Sequence, residues 1–559
     1  MNKYLQRFAA FLVLSSIVYI NYLTLSNSRN VFFMDDWGTP GELFYSYFNG
    51  GIGASDFLSQ HNESRLVLFK AFNIILLKLD IYSTEISVYI RILLAILICC
   101  LLYATGKNEN IKFRQSFLYL SILIVFIPTQ AYAMLFGITL LGFIVPLCLV
   151  LSVLVLFSKK SSLFKIICII ILSLISTFTY ANGMILWVLC NPFIFNLISD
   201  SKNHIRRIHS FAFTAIGFII VLFYFHDYGH PHNHPTITSG FSDPLRLMHF
   251  FAILIWSPFS MGWNHYLISS VLLSLLLLYL VFHYREFLLD LLCRKVKVSM
   301  FTYSMFVILL YGLVSCSVIS FGRCGFGLKA ALAEHYPMYS MWIHIALIGL
   351  VLSVKYKKIK SLGKYFISLY LVLYVISFEY GVRRIKENGK TFELAEVALL
   401  HAETIPSNPF LRVLHHNPND GVLPKIQTFK KNNLIKVLDS NLMFANPKEF
   451  DLVDGHFNYR SDNSNIFFNG YSYNTYDNLK FDHIVVFDYD SNETLKPILA
   501  VSFNKPTKSY SKLLGIDSHS LIGFDHAISS SHKFVDPIAC GVDLKNMKIF
   551  RIQNNITYN

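Results

Sequence analysis

Charged residues and cysteines are both scarce in this chain. Only 15% of its 559 residues are Asp, Glu, Lys or Arg, whereas a soluble globular protein has about 25%. There are nine cysteines, and most of them fall in apolar segments, where Cys commonly acts as a small buried hydrophobe. This composition excludes a soluble enzyme, a disordered chain and a small disulfide-linked scaffold.

Apolar residues are abundant instead, and they come in long blocks. They make up 54% of the chain, and the mean hydropathy is +0.47. Many blocks approach the length that a helix needs to cross about 30 Å of hydrocarbon. We therefore predict a polytopic α-helical membrane protein with about eleven transmembrane helices. The predicted spans are residues 8–25, 86–105, 115–132, 135–157, 164–181, 183–199, 211–226, 266–284, 300–320, 337–354 and 365–381.

Basic residues flank these blocks unevenly. The formal net charge is +14, which in a soluble protein would suggest nucleic acid as a partner. Here much of the positive charge follows the positive-inside rule, which places the N-terminus in the cytoplasm, and we expect no nucleic-acid binding. The basic segments assigned to the cytoplasmic side are residues 3–7, 107–114, 159–165, 202–207, 285–297 and 355–364.

The composition changes near residue 382, where Asn, Asp, Ser and Tyr become common. We predict a transmembrane domain over residues 1–381, with its first external loop at 26–85, and a soluble extracytoplasmic α+β domain over 382–559. Two short apolar segments, 66–79 and 247–262, are interpreted as interfacial or re-entrant helices rather than crossings.

The first external loop begins with Asp35, Asp36 and Trp37, directly after an apolar run. Carboxylates at the membrane surface are costly to desolvate, and one of them could accept a proton from an acceptor hydroxyl. The Trp37 ring offers a flat apolar face on which a sugar could stack. The alternative is that the two aspartates cap a short helix in the loop.

Further along the same loop, His61, Glu63 and Arg65 place an imidazole, a carboxylate and a guanidinium within five residues. Arg65 could bind a phosphate through paired hydrogen bonds. A solvated turn is the alternative. We favour a functional role because both groups of polar residues occur in one external loop.

A second informative loop lies between the spans 300–320 and 337–354. Its glycines would allow backbone amides to approach a phosphate, while Arg323 and Lys329 supply positive charge. His335 and Tyr336 follow at the mouth of the next span. The alternative is a glycine-rich turn with one arginine that extends toward the membrane surface.

A third loop, HDYGHPHNHP at 226–235, contains four histidines. Clustered histidines can ligate zinc, but this loop lacks the helical spacing that presets a ligand pair. We therefore predict no metal site and interpret the segment as an exposed or acceptor-facing loop.

At the first two loops the sequence resembles bacterial membrane glycosyltransferases of the GT-C fold, which use a polyprenyl-phosphate sugar on the extracytoplasmic side. The resemblance covers about residues 1–380. The matching parts are Asp35-Asp36-Trp37, the run His61-Asn62-Glu63-Ser64-Arg65, and Gly322-Arg323 with Gly325, Phe326 and Gly327 leading into Glu334-His335-Tyr336.

The resemblance implies transfer of a glucose-like hexose from undecaprenyl phosphate to a surface glycan such as the O-antigen of lipopolysaccharide, with inversion, at the periplasmic face of the inner membrane. Asp35 is the expected catalytic base, with Asp36 as second choice. Arg65 and Arg323 are expected to bind the lipid phosphate. Further substrate-binding candidates are His61, Glu63, Trp37, His335, Tyr336 and Lys329.

We expect no cofactor, and a divalent cation is the one alternative left open. The missing Rossmann and P-loop signatures fit a reaction that uses no nucleotide. Two other functions stay open, an O-antigen polymerase or ligase and a polysaccharide transporter. A transporter commonly has paired intramembrane charges and broken helices in corresponding halves, and the sequence lacks both patterns.

Overall fold

The computed structural model describes residues 3–199, 204–231, 234–235, 238–260, 298–353, 357–402, 411–415, 418–435 and, between 452 and 552, nine strands. The predicted span 266–284 and the predicted cytoplasmic segment 285–297 lie outside the described residues. The described part is a helical membrane protein, and helices account for most of its first 400 residues.

The chain forms two compact units. The first contains residues 1–28 and 52–388, and the second contains residues 29–51 and 389–559. The predicted domains, 1–381 and 382–559, stay predictions. They differ from these units mainly at residues 29–51, which we placed in the transmembrane domain.

The first unit is helical. Its α-helices are Lys3–Asn27, Ala54–Leu58, Val67–Lys78, Thr84–Thr105, Ile111–Val125, Ala131–Leu135, Leu141–Leu156, Ser162–Thr177, Leu186–Leu189, Pro192–Ile198, Arg207–Phe225, Thr238–Ser242, Pro244–Trp256, Met300–Arg323 and Pro337–Ser353, followed by Lys357–Leu400, whose last residues belong to the second unit. Its 3-10 helices are Pro128–Gln130, Gly137–Leu140, Ala181–Ile185, Ser257–Phe259, Cys324–Phe326 and Leu328–Leu332.

The second unit contains short helices and strands. The helices are Met34–Trp37, a 3-10 helix, and Gly41–Asn49, Leu411–Leu414, Pro418–Gly421 and Leu423–Lys431. The strands are β1 Leu452–Val453, β2 Gly455–Ser461, β3 Asn465–Tyr473, β4 His483–Tyr489, β5 Leu495–Ser502, β6 Lys505–Pro506, β7 Leu521–Ser529, β8 Ile538–Asp543 and β9 Lys548–Ile552. They pair in the orders β1-β9-β8-β4-β5 and β2-β3-β7-β6.

Six helices in the described part are long and apolar enough to cross a membrane. They are Ala10–Asn27, Thr84–Thr105, Ile111–Leu135, Gly137–Leu156, Arg207–Phe225 and Met300–Phe326. The pair Ala181–Leu189 and Pro192–Ile198, bent by 47°, adds a seventh if it counts as one span. Three shorter apolar helices, Ser162–Thr177, Pro244–Phe259 and Pro337–Ser353, also coincide with predicted apolar segments.

Polar caps mark the beginnings of several apolar helices. The Ser83 side chain accepts a hydrogen bond from the Glu85 amide, and Ser299 does the same for Thr302. Such caps satisfy amides that the helix itself leaves unpaired. Short polar residues before an apolar run therefore define where these helices start.

The helix Pro337–Ser353 lies in the centre of the first unit, and it is buried from Pro337 to Val351. A helix that is apolar on all sides is expected in such a position. Its one imidazole, His344, accepts a 2.7 Å hydrogen bond from the Tyr370 hydroxyl at Nδ1 and donates from Nε2 to the Ile255 carbonyl at 2.8 Å. Both nitrogens are satisfied, so this buried histidine joins three helices.

The predicted interfacial segment 66–79 contains the helix Val67–Lys78. Lys70 on this helix is buried, and its Nζ donates to the Asp56 and Ser59 carbonyls, each at 2.8 Å. Burial lowers the pKa of Lys70 to about 8. These bonds attach the segment to the preceding loop and explain how it accommodates a lysine.

Candidate functional site

The segment His61–Arg65 forms a tight turn in the first unit. The His61 amide donates to the Ser64 carbonyl at 2.7 Å, and the Ser64 amide donates back to the His61 carbonyl at 2.9 Å. Asn62 has a φ of +49°, a left-handed conformation that asparagine adopts more readily than most residues. This turn holds Glu63 in a defined position between its neighbours.

Glu63 lies at the centre of a cluster of ionisable side chains. Arg323 donates from Nη2 to Glu63 Oε2 at 2.9 Å, and His234 Nδ1 lies 2.6 Å from the other carboxylate oxygen. The three side chains come from three distant parts of the sequence. The exposed fraction of the side chain is 37% for Glu63, 21% for Arg323 and 12% for His234. We call these three residues the Glu63 cluster.

Two tyrosines lie next to the Glu63 cluster. The Tyr228 hydroxyl donates to the Glu63 carbonyl at 3.2 Å. Tyr336 is buried nearby, and burial raises its pKa while the Arg323 charge opposes that shift. Burial also lowers the pKa of His234, and the Arg323 charge lowers it further, against the opposing effect of Glu63. At neutral pH His234 is therefore a neutral imidazole, able to accept or relay a proton.

Arg65 has a different environment from Arg323. Its side chain donates from Nε to the Tyr224 carbonyl at 2.8 Å, and from its two terminal nitrogens to the carbonyls of Leu58 and His226. Two of these carbonyls lie at the carboxyl end of the helix Arg207–Phe225, where a cation is favoured by the helix dipole. The geometry favours a structural role for Arg65, which ties the loop to this helix end.

Arg323 ends the helix Met300–Arg323 and keeps donors available. Among the described residues, Glu63 is the hydrogen-bond partner of its guanidinium, through Nη2 alone. The guanidinium carbon lies 5.8 Å from the centroid of the Phe326 ring. Of the two arginines predicted to bind phosphate, Arg323 uses one of its three guanidinium nitrogens in the described part of the chain, whereas every guanidinium nitrogen of Arg65 donates a hydrogen bond.

The glycine-rich loop after Arg323 forms two 3-10 turns, Cys324–Phe326 and Leu328–Leu332. Gly327 between them has a φ of +96°, a conformation that favours glycine. The Gly325 carbonyl accepts a 3.0 Å hydrogen bond from Arg246 Nη2. Lys329 is exposed at the surface.

The segment Glu334–Tyr336 precedes the central helix. Glu334 pairs with Arg384 and accepts a hydrogen bond from Asn388, so its charge is neutralised inside the first unit. The His335 ring is half-buried, and its centroid lies 4.2 Å from that of Tyr336 and 6.1 Å from that of Tyr132. His335 therefore lies in an aromatic environment.

Asp35 and Asp36 belong to the second unit, and their environments differ. Asp35 is exposed, whereas Asp36 is buried and accepts a 3.2 Å hydrogen bond from the Phe33 amide. Burial raises the pKa of Asp36 well above its ordinary value, and the neighbouring Asp35 charge adds to this. The Asp36 carboxyl therefore accepts a hydrogen bond at the start of a short helix, which agrees with the alternative that the aspartates cap a helix. Asp35 is the aspartate that solvent and solutes can reach.

Trp37 is fully buried inside the second unit. Its Nε1 donates to the Phe32 carbonyl at 3.0 Å, and its ring stacks on Phe429 at 5.9 Å with an interplanar angle of 10°. This burial favours a packing role for Trp37 in place of the predicted sugar contact. Phe429 comes from the C-terminal part of the chain, which explains why residues 29–51 belong to this unit.

The structure thus brings Glu63 and Arg323 together. It adds two residues, His234 and Tyr228, for which the sequence alone predicts only a place in a loop. The signal that could have found them is the density of titratable and aromatic side chains in HDYGHPHNHP. Within the described ranges, no three His, Cys, Asp or Glu side chains are grouped to hold a metal ion. The chain matches no protein-family model, no curated protein and no solved structure.

Proposed function

We propose that the protein is an integral-membrane glycosyltransferase that moves a hexose from undecaprenyl phosphate to a surface glycan such as O-antigen. The observation that carries this proposal is the Glu63 cluster, in which a carboxylate holds a half-buried arginine at the end of an apolar helix. A planar guanidinium matches the oxygens of a phosphate, and a partner carboxylate limits its rotation. Arg323 would bind the phosphate of the lipid-linked donor, which is also the leaving group.

The position of the cluster along the chain supports a site on the extracytoplasmic side. Tyr224 and His226, which bind Arg65, lie at the carboxyl end of the helix Arg207–Phe225, and Arg323 lies at the carboxyl end of the helix Met300–Arg323. Both helices follow basic segments, at 202–207 and 285–297. Because basic segments favour the cytoplasm, the carboxyl ends of these helices belong on the opposite face.

The same rule underlies the proposed topology. We place the N-terminus in the cytoplasm, eleven crossings in the inner membrane and an α+β domain of residues 382–559 in the periplasm. The long apolar helices and the paired strands between residues 452 and 552 support this arrangement. Large apolar side chains that are exposed on the helix Arg207–Phe225, such as Ile208 and Phe218, suit contact with lipid.

The proposed reaction is a single displacement at the anomeric carbon of the donor sugar. The acceptor hydroxyl oxygen forms a bond to that carbon while the bond from the carbon to the phosphate oxygen breaks, and polyprenyl phosphate leaves with the electron pair. The hydroxyl proton passes to a carboxylate base. Asp35 is the proposed base because it is exposed, whereas the Asp36 carboxyl is buried and used by the Phe33 amide.

The test is transfer of labelled sugar by the purified full chain in liposomes that contain undecaprenyl-phosphate-glucose and a lipid-linked glycan acceptor. We expect transfer by the wild type and a loss of at least 100-fold in Asp35→Asn, typical of removing a general base. The matched control is Asp80→Asn, a second aspartate in the first external loop. Full activity of both Asp35→Asn and Asp36→Asn would overturn the proposed mechanism, and absence of transfer for every lipid-linked sugar would overturn the function.

The readout also separates the two other functions that the sequence left open. A polymerase or ligase would lengthen or attach whole glycan chains instead of adding single hexoses. A transporter would move the lipid-linked glycan across the bilayer without making a glycosidic bond. Mass analysis of the glycan product distinguishes these results.

A further inference from the structure

Arg91 is a charged residue inside a membrane-spanning helix. It belongs to the helix Thr84–Thr105, one of the six long apolar helices, and only 2% of its surface is exposed. It lies seven residues after the start of that helix, which corresponds to about 10 Å along the helix axis. Its guanidinium carbon lies 5.6 Å from the centroid of the Phe143 ring.

The Arg91 guanidinium has no compensating anion in the part of the chain that the structure describes. No carboxylate there pairs with it, and its Nε is buried without a hydrogen-bond partner. Because arginine stays protonated in proteins, Arg91 cannot avoid the cost of burying its charge by losing a proton. A contact with one aromatic ring contributes about 0.5–2 kcal/mol, which is less than the cost of burying an unpaired charge.

The side chain also does not follow the usual route by which arginine escapes from hydrocarbon. A lipid-facing arginine extends to the membrane surface and leaves its head group in water. Arg91 is instead enclosed by protein, next to Phe143 of the neighbouring helix Leu141–Leu156. An anionic ligand would supply the partner that the described residues do not give this buried guanidinium.

Two hydroxyl residues share the helix face of Arg91. Ser87 lies one turn before it and Thr84 one turn earlier still, and both are buried. Side chains at these spacings point to the same side of a helix. The backbone of Gly137 approaches this face so closely that a Cβ there would lie 3.1 Å from the Ser87 Cβ. The result is a short polar strip of Thr84, Ser87 and Arg91 in an otherwise apolar wall.

We propose that Arg91 binds the phosphate of a membrane lipid, with Ser87 on the same helix face as a second hydrogen-bond donor. A lipid phosphate suits the position because basic sites between transmembrane helices bind the anionic head groups of lipids. Two sources share this chemistry, a polyprenyl phosphate and an ordinary anionic phospholipid. The inference does not depend on the proposed transferase activity, since it concerns the retention of a lipid and not its reaction.

The test measures lipid retention by the purified full chain with native mass spectrometry in detergent. One arm adds a short-chain polyprenyl phosphate and the other adds phosphatidylglycerol at equal concentration. We expect the wild type to retain one phosphate-bearing lipid and Arg91→Met to retain it at least tenfold less. If the wild type retains one of the two lipids more strongly and Arg91→Met loses this difference, the preferred lipid is the source of the phosphate.

Arg114→Met is the matched control. The Arg114 guanidinium also lies over an aromatic ring, with its carbon 4.0 Å from the Tyr103 centroid. Its Nε is also buried without a hydrogen-bond partner among the described residues. We expect this variant to retain lipid as the wild type does. Ser87→Val, which keeps the arginine, covers the case in which Arg91→Met does not fold, and we expect it to weaken retention several-fold. Equal retention by the wild type, Arg91→Met and Ser87→Val, or no lipid in the wild type in either arm, would overturn the proposal.

Discussion

Arg323 donates a 2.9 Å hydrogen bond to the Glu63 carboxylate, although 260 positions separate the two residues in the sequence. This bond joins two loops that the sequence marked separately as candidates for substrate binding. His234 contacts the other oxygen of the same carboxylate. Glu63 therefore serves as the common partner of a permanent cation and of a titratable imidazole.

Removing the Glu63 charge is expected to lower transfer. In Glu63→Gln the carboxamide bonds Arg323 more weakly, so the guanidinium is less restricted when it meets the donor phosphate. Because both side chains are partly exposed, we expect a moderate effect of roughly tenfold in kcat/KM, or about 1.4 kcal/mol. The assay is the liposome transfer reaction, and the control is Glu85→Gln, which changes a carboxylate in the first turn of the helix Thr84–Thr105.

A double-mutant cycle tests whether Glu63 acts through Arg323. Residues that form one unit give non-additive effects. We expect Glu63→Gln combined with Arg323→Gln to be little worse than Arg323→Gln alone. Strictly additive losses would show that the two side chains act independently.

Replacement of Arg65 is expected to reduce stability more than it reduces donor affinity. Arg65→Gln cannot donate to all three carbonyls, of Leu58, Tyr224 and His226, and a hydrogen bond from a charged group contributes about 1.5–3 kcal/mol. We expect the thermal unfolding midpoint in detergent to fall by several degrees, with a near-normal KM for the donor in the protein that stays folded. Arg323→Gln should show the reverse pattern, and a raised KM with an unchanged midpoint in Arg65→Gln would contradict this assignment.

Asp36 is expected to make stability depend on pH. Burial raises the pKa of its carboxyl in the folded chain above the value of about 3.9 in the unfolded chain. Between these two values the folded state holds a proton that the unfolded state has lost, so the free energy of unfolding decreases as the pH rises through this interval. Below the unfolded pKa the effect disappears.

Asp36→Asn removes this dependence while keeping an oxygen that can accept the Phe33 amide. We therefore expect the unfolding midpoint of Asp36→Asn, relative to that of the wild type, to increase from pH 4 to pH 8. Differential scanning fluorimetry at several pH values measures this difference. Parallel curves for the two proteins would show that the Asp36 carboxyl is not protonated in the folded chain.

Acidic pH is expected to disturb the Glu63 cluster through His234. Burial and the Arg323 charge lower the pKa of this imidazole below 6.5, whereas Glu63 opposes the shift and His230 adds slightly to it. Protonation below pH 6.5 creates a second cation that competes with Arg323 for the carboxylate. Transfer should therefore decline on the acidic side with a midpoint below 6.5, and His234→Gln should remove part of that decline. His226→Gln, an exposed histidine of the same loop, is the control and should keep the wild-type profile.

Local pattern was sufficient to predict several of the long apolar helices. Apolar blocks with polar residues before them led to spans near 86–105, 211–226 and 300–320, and the structure contains long apolar helices at each of these positions. These predictions succeed because an apolar segment can satisfy the hydrogen bonds of its backbone by forming a helix on its own, without contacts to other parts of the chain. The charged loops that follow these helices were recognisable for a similar reason, since polar residues at the membrane surface stand out against an apolar sequence.

The roles of the individual side chains were decided by tertiary structure. Arg65 and Arg323 were both predicted to bind phosphate, yet one is engaged by backbone carbonyls at a helix end and the other by a carboxylate. Asp35 and Asp36 are adjacent, yet only one is buried, and Trp37 packs on Phe429, nearly 400 residues away in the sequence. The positions of the long apolar helices along the chain could be predicted from the sequence alone, because an apolar run is a property of each segment. Which polar groups meet, and which remain available to a ligand, depends on contacts between distant segments, and these arise only when the helices and loops pack together.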